Sequence, residues 1–192
     1  MLKWIFRLIF KLKGWQLYQP IPKDAFNCVM VAAPHTSNWD FVYAITALQQ
    51  LGVNPRFTIK KELNKFPFGG IATNFGAIWI DRSPKDGVKQ NMTQVMADLF
   101  REAKKPLSML VTAEGTRAKA TKWKTGFYYA ALEAKVPICL SFMDYKTRIT
   151  GVGECFIPSG DIDKDMRIIM DFYKDKTGKY PENFSLDERY SD

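Results

Sequence analysis

Short runs of β-forming apolar residues alternate with helix-spaced segments along most of the chain, and this alternation restricts the fold more than any other feature. After Pro20 and Pro22, the run NCVMVAAP reads as a buried strand ended by Pro34. Phe41 to Gly52 has helical spacing and a glycine stop. RFTIK (Arg56 to Lys60) and GAIWIDR (Gly76 to Arg82) read as strands flanking a short helical piece broken around Phe66-Pro67-Phe68-Gly69-Gly70. Val88 to Lys105 reads as an amphipathic helix, Leu107 to Thr112 as a strand, and Thr125 to Lys135 as a helix. PICLSFMDY and Thr147 to Phe156 suggest a late strand pair, and Asp161 to Lys174 a final helix. The polar tail beyond Thr177 is expected to be loosely held.

Strands alternating with helices imply an α/β fold in which helices cover a mixed, mostly parallel sheet. With 192 residues and 46% hydrophobic content, residues 1–192 are expected to form a single domain.

The first residues, Lys3 to Trp15, are apolar but carry Lys3, Arg7 and Lys11 at four-residue intervals. On a helix these make one basic stripe, while Trp4, Ile5, Leu8, Ile9, Leu12 and Trp15 occupy the rest. The charges interrupt the apolar run too often for a secretory signal or a spanning helix, which needs about 20 apolar residues. Residues 1–17 therefore read as an amphipathic helix lying on a membrane surface, its apolar side among acyl tails and its cations on anionic headgroups. The alternative is a helix packed on the protein's own core.

The formal net charge is +8, from 28 Lys and Arg against 20 Asp and Glu, which calls for an anionic partner. No basic run interleaved with stacking aromatics supports nucleic acid outside the N-terminal segment. Cys28, Cys139 and Cys155 are scattered without a C-x-x-C pair and read as reduced, buried thiols of a cytosolic protein. With one histidine in the chain, no metal site is expected.

That histidine, His35, is followed five positions later by Asp40, at the junction of a strand end and a helix start, where sites gather in α/β folds. If the chain turns there, the Asp40 carboxylate accepts from Nδ1 and leaves Nε2 as a base toward a bound hydroxyl. By itself the spacing equally fits a helix cap beside a loop histidine. Two later strands also end in charged clusters, at Asp81-Arg82 and at Glu114-Gly115-Thr116-Arg117. Two such arginines can clasp one phosphate through paired N–H donors, with the Gly115 turn adding backbone N–H groups; each alone also fits a surface ion pair. No G-x-S-x-G elbow occurs and no cysteine neighbours His35, so a covalent nucleophile is not indicated; Ser37 reads as a turn-former.

His35 to Asp40, GAIWIDR, EGTR and Val136-Pro137-Ile138 resemble, in order and rough spacing, the four motif blocks of the glycerolipid acyltransferases of the lysophosphatidic-acid acyltransferase type. The likeness runs from about Asn27 to Cys139 and takes in Lys61-Glu62-Leu63 with Pro67 and Gly69. It implies an acyltransferase that moves a fatty acyl group from acyl-CoA or acyl-carrier protein to the hydroxyl of a lysophospholipid-like acceptor. His35 would be the general base and Asp40 its orienting partner. Arg82 would contact the acceptor's phosphate, Glu114, Gly115, Thr116 and Arg117 would bind the acceptor, and Lys61 would be a further anion contact. Attack would be direct, with no acyl-enzyme. No cofactor is implied beyond the thioester co-substrate, and the place of action would be the cytoplasmic face of a membrane, held peripherally.

Three departures surround the acceptor side: Pro34 before the histidine, Ala118 after EGTR, and Trp123-Lys124-x-Gly126 where the family has Phe-Lys-x-Gly. They keep open an alternative, a non-catalytic lipid-binding module on the same fold.

Overall fold

The computed structural model describes residues 2–81, 83 and 90–191. Seven strands form one sheet: β1 (Gln16–Leu17), β2 (Cys28–Ala33), β3 (Pro55–Lys60), β4 (Ala77–Ile80), β5 (Ser108–Val111), β6 (Ile138–Asp144) and β7 (Ile149–Phe156). Their spatial order is β1-β7-β6-β2-β5-β3-β4, and every neighbouring pair is parallel except β6 with β7. Helices α1 (Leu2–Leu12), α2 (Asn38–Gln50), α3 (Phe68–Asn74), α4 (Met92–Glu102), α5 (Gly126–Ala134) and α6 (Ile162–Tyr173) complete it. This is the α/β arrangement, mixed and mostly parallel, that the sequence implies. The two-residue strand β1 has no sequence signal.

Central β2 is buried along its whole length, as a strand covered on both faces must be. Its residues alternate between two cores. Val29, Val31 and Ala33 pack with Phe127 and Tyr128 of α5 and with Met166, Ile169 and Met170 of α6. Cys28 and Met30 point the other way, toward Leu48 of α2 and Val53. Parallel pairing puts Val31 beside Val111 of β5 and Leu140 of β6, so these strands end together at one edge of the sheet.

Three expectations are corrected. Cys139 and Cys155 face each other across the antiparallel β6–β7 pair and form a disulfide, while Cys28 stays free and buried. Strand pairing brings together thiols whose sequence spacing gives no hint of it. The tail is docked: Tyr180 N–H donates to Thr36 Oγ1 (3.2 Å), Trp123 Nε1 donates to Ser185 O (3.0 Å), and Asp187 is fully buried. Third, α1 ends before Trp15, which is buried with Phe10 and Tyr43. Trp4, Ile5, Leu8 and Leu12 remain exposed, and Phe6 stacks on Phe75 at 5.1 Å. The first helix thus seats one side on the protein's own core. Among the described residues no helix is long and apolar enough to cross a membrane.

Candidate active site

β2 ends at Ala33, and Pro34 to Ser37 carry the chain into α2. Ser37 caps that helix: its Oγ accepts the Trp39 N–H (3.2 Å), while the Asp40 carboxylate reaches back to its N–H, a reciprocal capping box. Asp40 Oδ2 takes the backbone N–H groups of Thr36 (2.7 Å) and Ser37 (2.8 Å), which folds the segment so that His35 Nδ1 comes within 3.4 Å of the same oxygen. The capping role and the partnership with His35 therefore belong to one carboxylate. Asp40 is buried and the imidazole is partly open.

The other Asp40 oxygen, Oδ1, accepts the hydroxyl of Tyr145 at 2.7 Å, a contact 105 positions distant that sequence reasoning missed. Burial first, then the bond to Asp40, raises the Tyr145 pKa far above the ordinary phenol value, so the hydroxyl stays a donor.

The neighbouring strand end supplies the second block. After β5, Thr112 O accepts the Gly115 N–H (3.1 Å) in a turn that puts Gly115 at φ +70°, a conformation glycine adopts without penalty. Glu114 just before it is buried, and both its oxygens accept the His35 N–H, at 3.1 and 3.0 Å. Burial pushes its pKa up to about 7, the His35 N–H bond opposing and the Asp40 charge adding to the rise. The sequence reading makes Glu114 an acceptor contact; in the structure its visible work is to brace the histidine's backbone.

Two cavities meet at His35. One, of about 400 Å³, is lined by His35, Thr112, Gly115, Thr116, Arg117 and Ala118. The other, of about 950 Å³, shares His35, Thr112 and Gly115 and runs past Phe41, Phe57, Met92 and Met96. The first offers a guanidinium, a hydroxyl and a glycine turn, chemistry suited to an anion, and the second an apolar bed. Lys60, one residue before the predicted Lys61, lines the larger cavity; Lys61 is exposed at the start of a 3₁₀ turn. Arg82, the remaining predicted contact, lies outside the described residues.

A family model described as Acyltransferase matches residues 19–140, a span holding β2 through β5 and the start of β6, with both motif-bearing strand ends. The fold is similar to that of the 1-acyl-sn-glycerophosphate (LPA) acyltransferase PlsC from Thermotoga maritima, with a TM-score of 0.58 and 16% sequence identity over 92% of this chain and 80% of that one. A comparison with curated proteins finds no match. A match over more than half of the chain, with the fold beside it, settles the family: this protein belongs to the Acyltransferase family.

Proposed function

We propose that the protein transfers a fatty acyl group from acyl-CoA or acyl-carrier protein to the hydroxyl of a lysophospholipid-like acceptor such as 1-acylglycerol-3-phosphate. The observation that carries this reading is the position of His35 where an anion-suited cavity and an apolar cavity join. The acceptor's phosphate lies against Arg117, Thr116 and the Gly115 turn, with Arg82 and a lysine at Lys60 or Lys61 as further cationic contacts. The acyl chain lies in the larger cavity, which places the thioester carbonyl near the imidazole.

Nε2 of His35 takes the acceptor's hydroxyl proton as the alkoxide oxygen attacks the thioester carbonyl. The tetrahedral intermediate collapses with loss of the thiolate, and the proton held by His35 goes to that sulfur, which leaves an ester and a free thiol. Asp40 orients the ring through Nδ1 and stabilises the imidazolium while it lasts. No covalent acyl-enzyme forms and no cofactor takes part. Ser37 gives its Oγ to the α2 cap, in keeping with a structural serine.

The exposed Trp4, Ile5, Leu8 and Leu12 of α1, beside Lys3, Arg7 and Lys11, support peripheral attachment to an anionic bilayer surface, where a lysophospholipid-like acceptor resides.

The test is transfer of a radiolabelled acyl group from a thioester to a lysolipid in detergent or vesicles. The wild-type chain forms labelled product and His35→Ala forms none. Full activity in the variant would sink the mechanism, and background activity with every donor and acceptor would favour the non-catalytic lipid-binding alternative.

A further inference from the structure

We infer that Tyr145 is a positioning residue of this site, holding the Asp40 carboxylate in the one orientation that aims Oδ2 at His35. The inference rests on the reading of His35 as the base.

Three groups fix one Asp40 oxygen or face it: the N–H groups of Thr36 and Ser37, and His35 Nδ1. All come from the same short segment as Asp40, so they hold the carboxylate only as firmly as that turn is held. Tyr145 comes from the far side, directly after β6, and grips the second oxygen at 2.7 Å. Its own placement is over-determined. Its N–H donates to Thr177 O (2.9 Å), and its ring meets the buried Trp15 edge-on at 4.9 Å and Tyr43 at 6.1 Å. A donor anchored to β6, the tail and the aromatic cluster thus opposes rotation about the carboxylate's Cβ–Cγ bond from outside the turn that holds the other oxygen. A carboxylate so fixed selects the Nδ1–H tautomer of His35 and leaves Nε2 bare.

Because His35 is the only histidine of the 192 residues, a long-range ¹H–¹⁵N spectrum of the labelled chain contains a single imidazole. In the wild type it reports Nδ1 protonated and Nε2 bare. Tyr145→Phe keeps the ring and its packing but removes the hydroxyl, and shifts the signals toward mixed tautomers. In the transfer assay the same variant lowers kcat about tenfold, with KM for donor and acceptor within about twofold, and adds almost nothing in an Asp40→Asn background. Imidazole signals identical to the wild type's, or losses that multiply with those of Asp40→Asn, would overturn the inference. If the wild type transfers no acyl group at all yet Tyr145→Phe still moves the imidazole signals, positioning stands and the catalytic reading falls.

Discussion

Glu114 holds His35 by its backbone: the N–H of the histidine donates to both carboxylate oxygens, at 3.1 and 3.0 Å, from one strand end to the next. The bond joins two sequence blocks 79 positions apart and makes the position of the imidazole depend on a buried acid. That acid sits in surroundings that disfavour its charge, with the Asp40 carboxylate adding to the penalty.

Glu114 therefore gives the protein a pH-dependent stability of unusual sign. An acid whose pKa rises from 4.5 unfolded to about 7 folded binds its proton more tightly in the native state. Its contribution is fully present below 4.5 and is lost as pH climbs through about 7. The difference amounts to about 3 kcal/mol at 1.36 kcal/mol per pKa unit. Glu114→Gln removes the titration, so denaturant unfolding at pH 4.5 and pH 8 is expected to show the wild type losing about 3 kcal/mol more than the variant between the two. Parallel pH dependence in the two proteins would show that Glu114 does not titrate in this window.

The tail is expected to be held by Asp187. Its carboxylate accepts the Trp123 N–H (2.9 Å) and pairs with Arg189 (2.6 Å), while the Trp123 indole donates to Ser185 O (3.0 Å). The indole bond ties Trp123 to the tail through a donor that a phenylalanine at this position would lack. Asp187→Ala leaves a buried N–H without its acceptor and is expected to cost about 2–4 kcal/mol. Limited proteolysis is the direct check: the variant should be cut between 178 and 191 under conditions where the wild type stays intact.

How far the sequence discloses such contacts depends on their span. The strands, the helices and the partnership of His35 with Asp40 are legible because each is set by neighbours within a few residues: alternating apolar runs, a serine cap, a carboxylate at the third helical position. Tyr145 is not legible, because it reaches Asp40 only once β6 lies beside β2. Glu114 shows the opposite limit. Its presence in a motif is plain, but whether it faces a ligand or a backbone N–H is decided by how β5 registers on β2. The cysteine pair and the docked tail fail for the same reason as Tyr145.

The β6–β7 disulfide is expected to matter for stability and little for turnover. Cys139 and Cys155 are 16 positions apart, and closing a loop of about that size stabilises by about 3 kcal/mol through the unfolded chain. Cys139→Ser with Cys155→Ser should lower the denaturant midpoint accordingly and leave kcat within about twofold, since neither sulfur lines the cavities at His35. A midpoint unchanged by the double substitution, or by reductant, would show that the cross-link contributes nothing.

Acyl-chain length should respond to Met96. This residue of α4 lines the larger cavity and also packs with Leu107, Met109 and Ala130, so it forms the boundary between the cavity and the core behind it. Methionine is unbranched and adaptable; phenylalanine is bulkier and stiffer, and fills space that a chain terminus would use. Met96→Phe is expected to shift preference toward shorter acyl groups at a stability cost of about 1–3 kcal/mol from overpacking. Met96→Ala opens the same end and should shift it toward longer ones. The measurement is a competition among thioesters of graded chain length with one acceptor, the products resolved by mass spectrometry. Opposite displacements in the two variants, with kcat for the preferred chain kept within about tenfold, would place the acyl terminus at Met96. If both variants keep the wild-type distribution, the chain lies elsewhere and the larger cavity is not its bed.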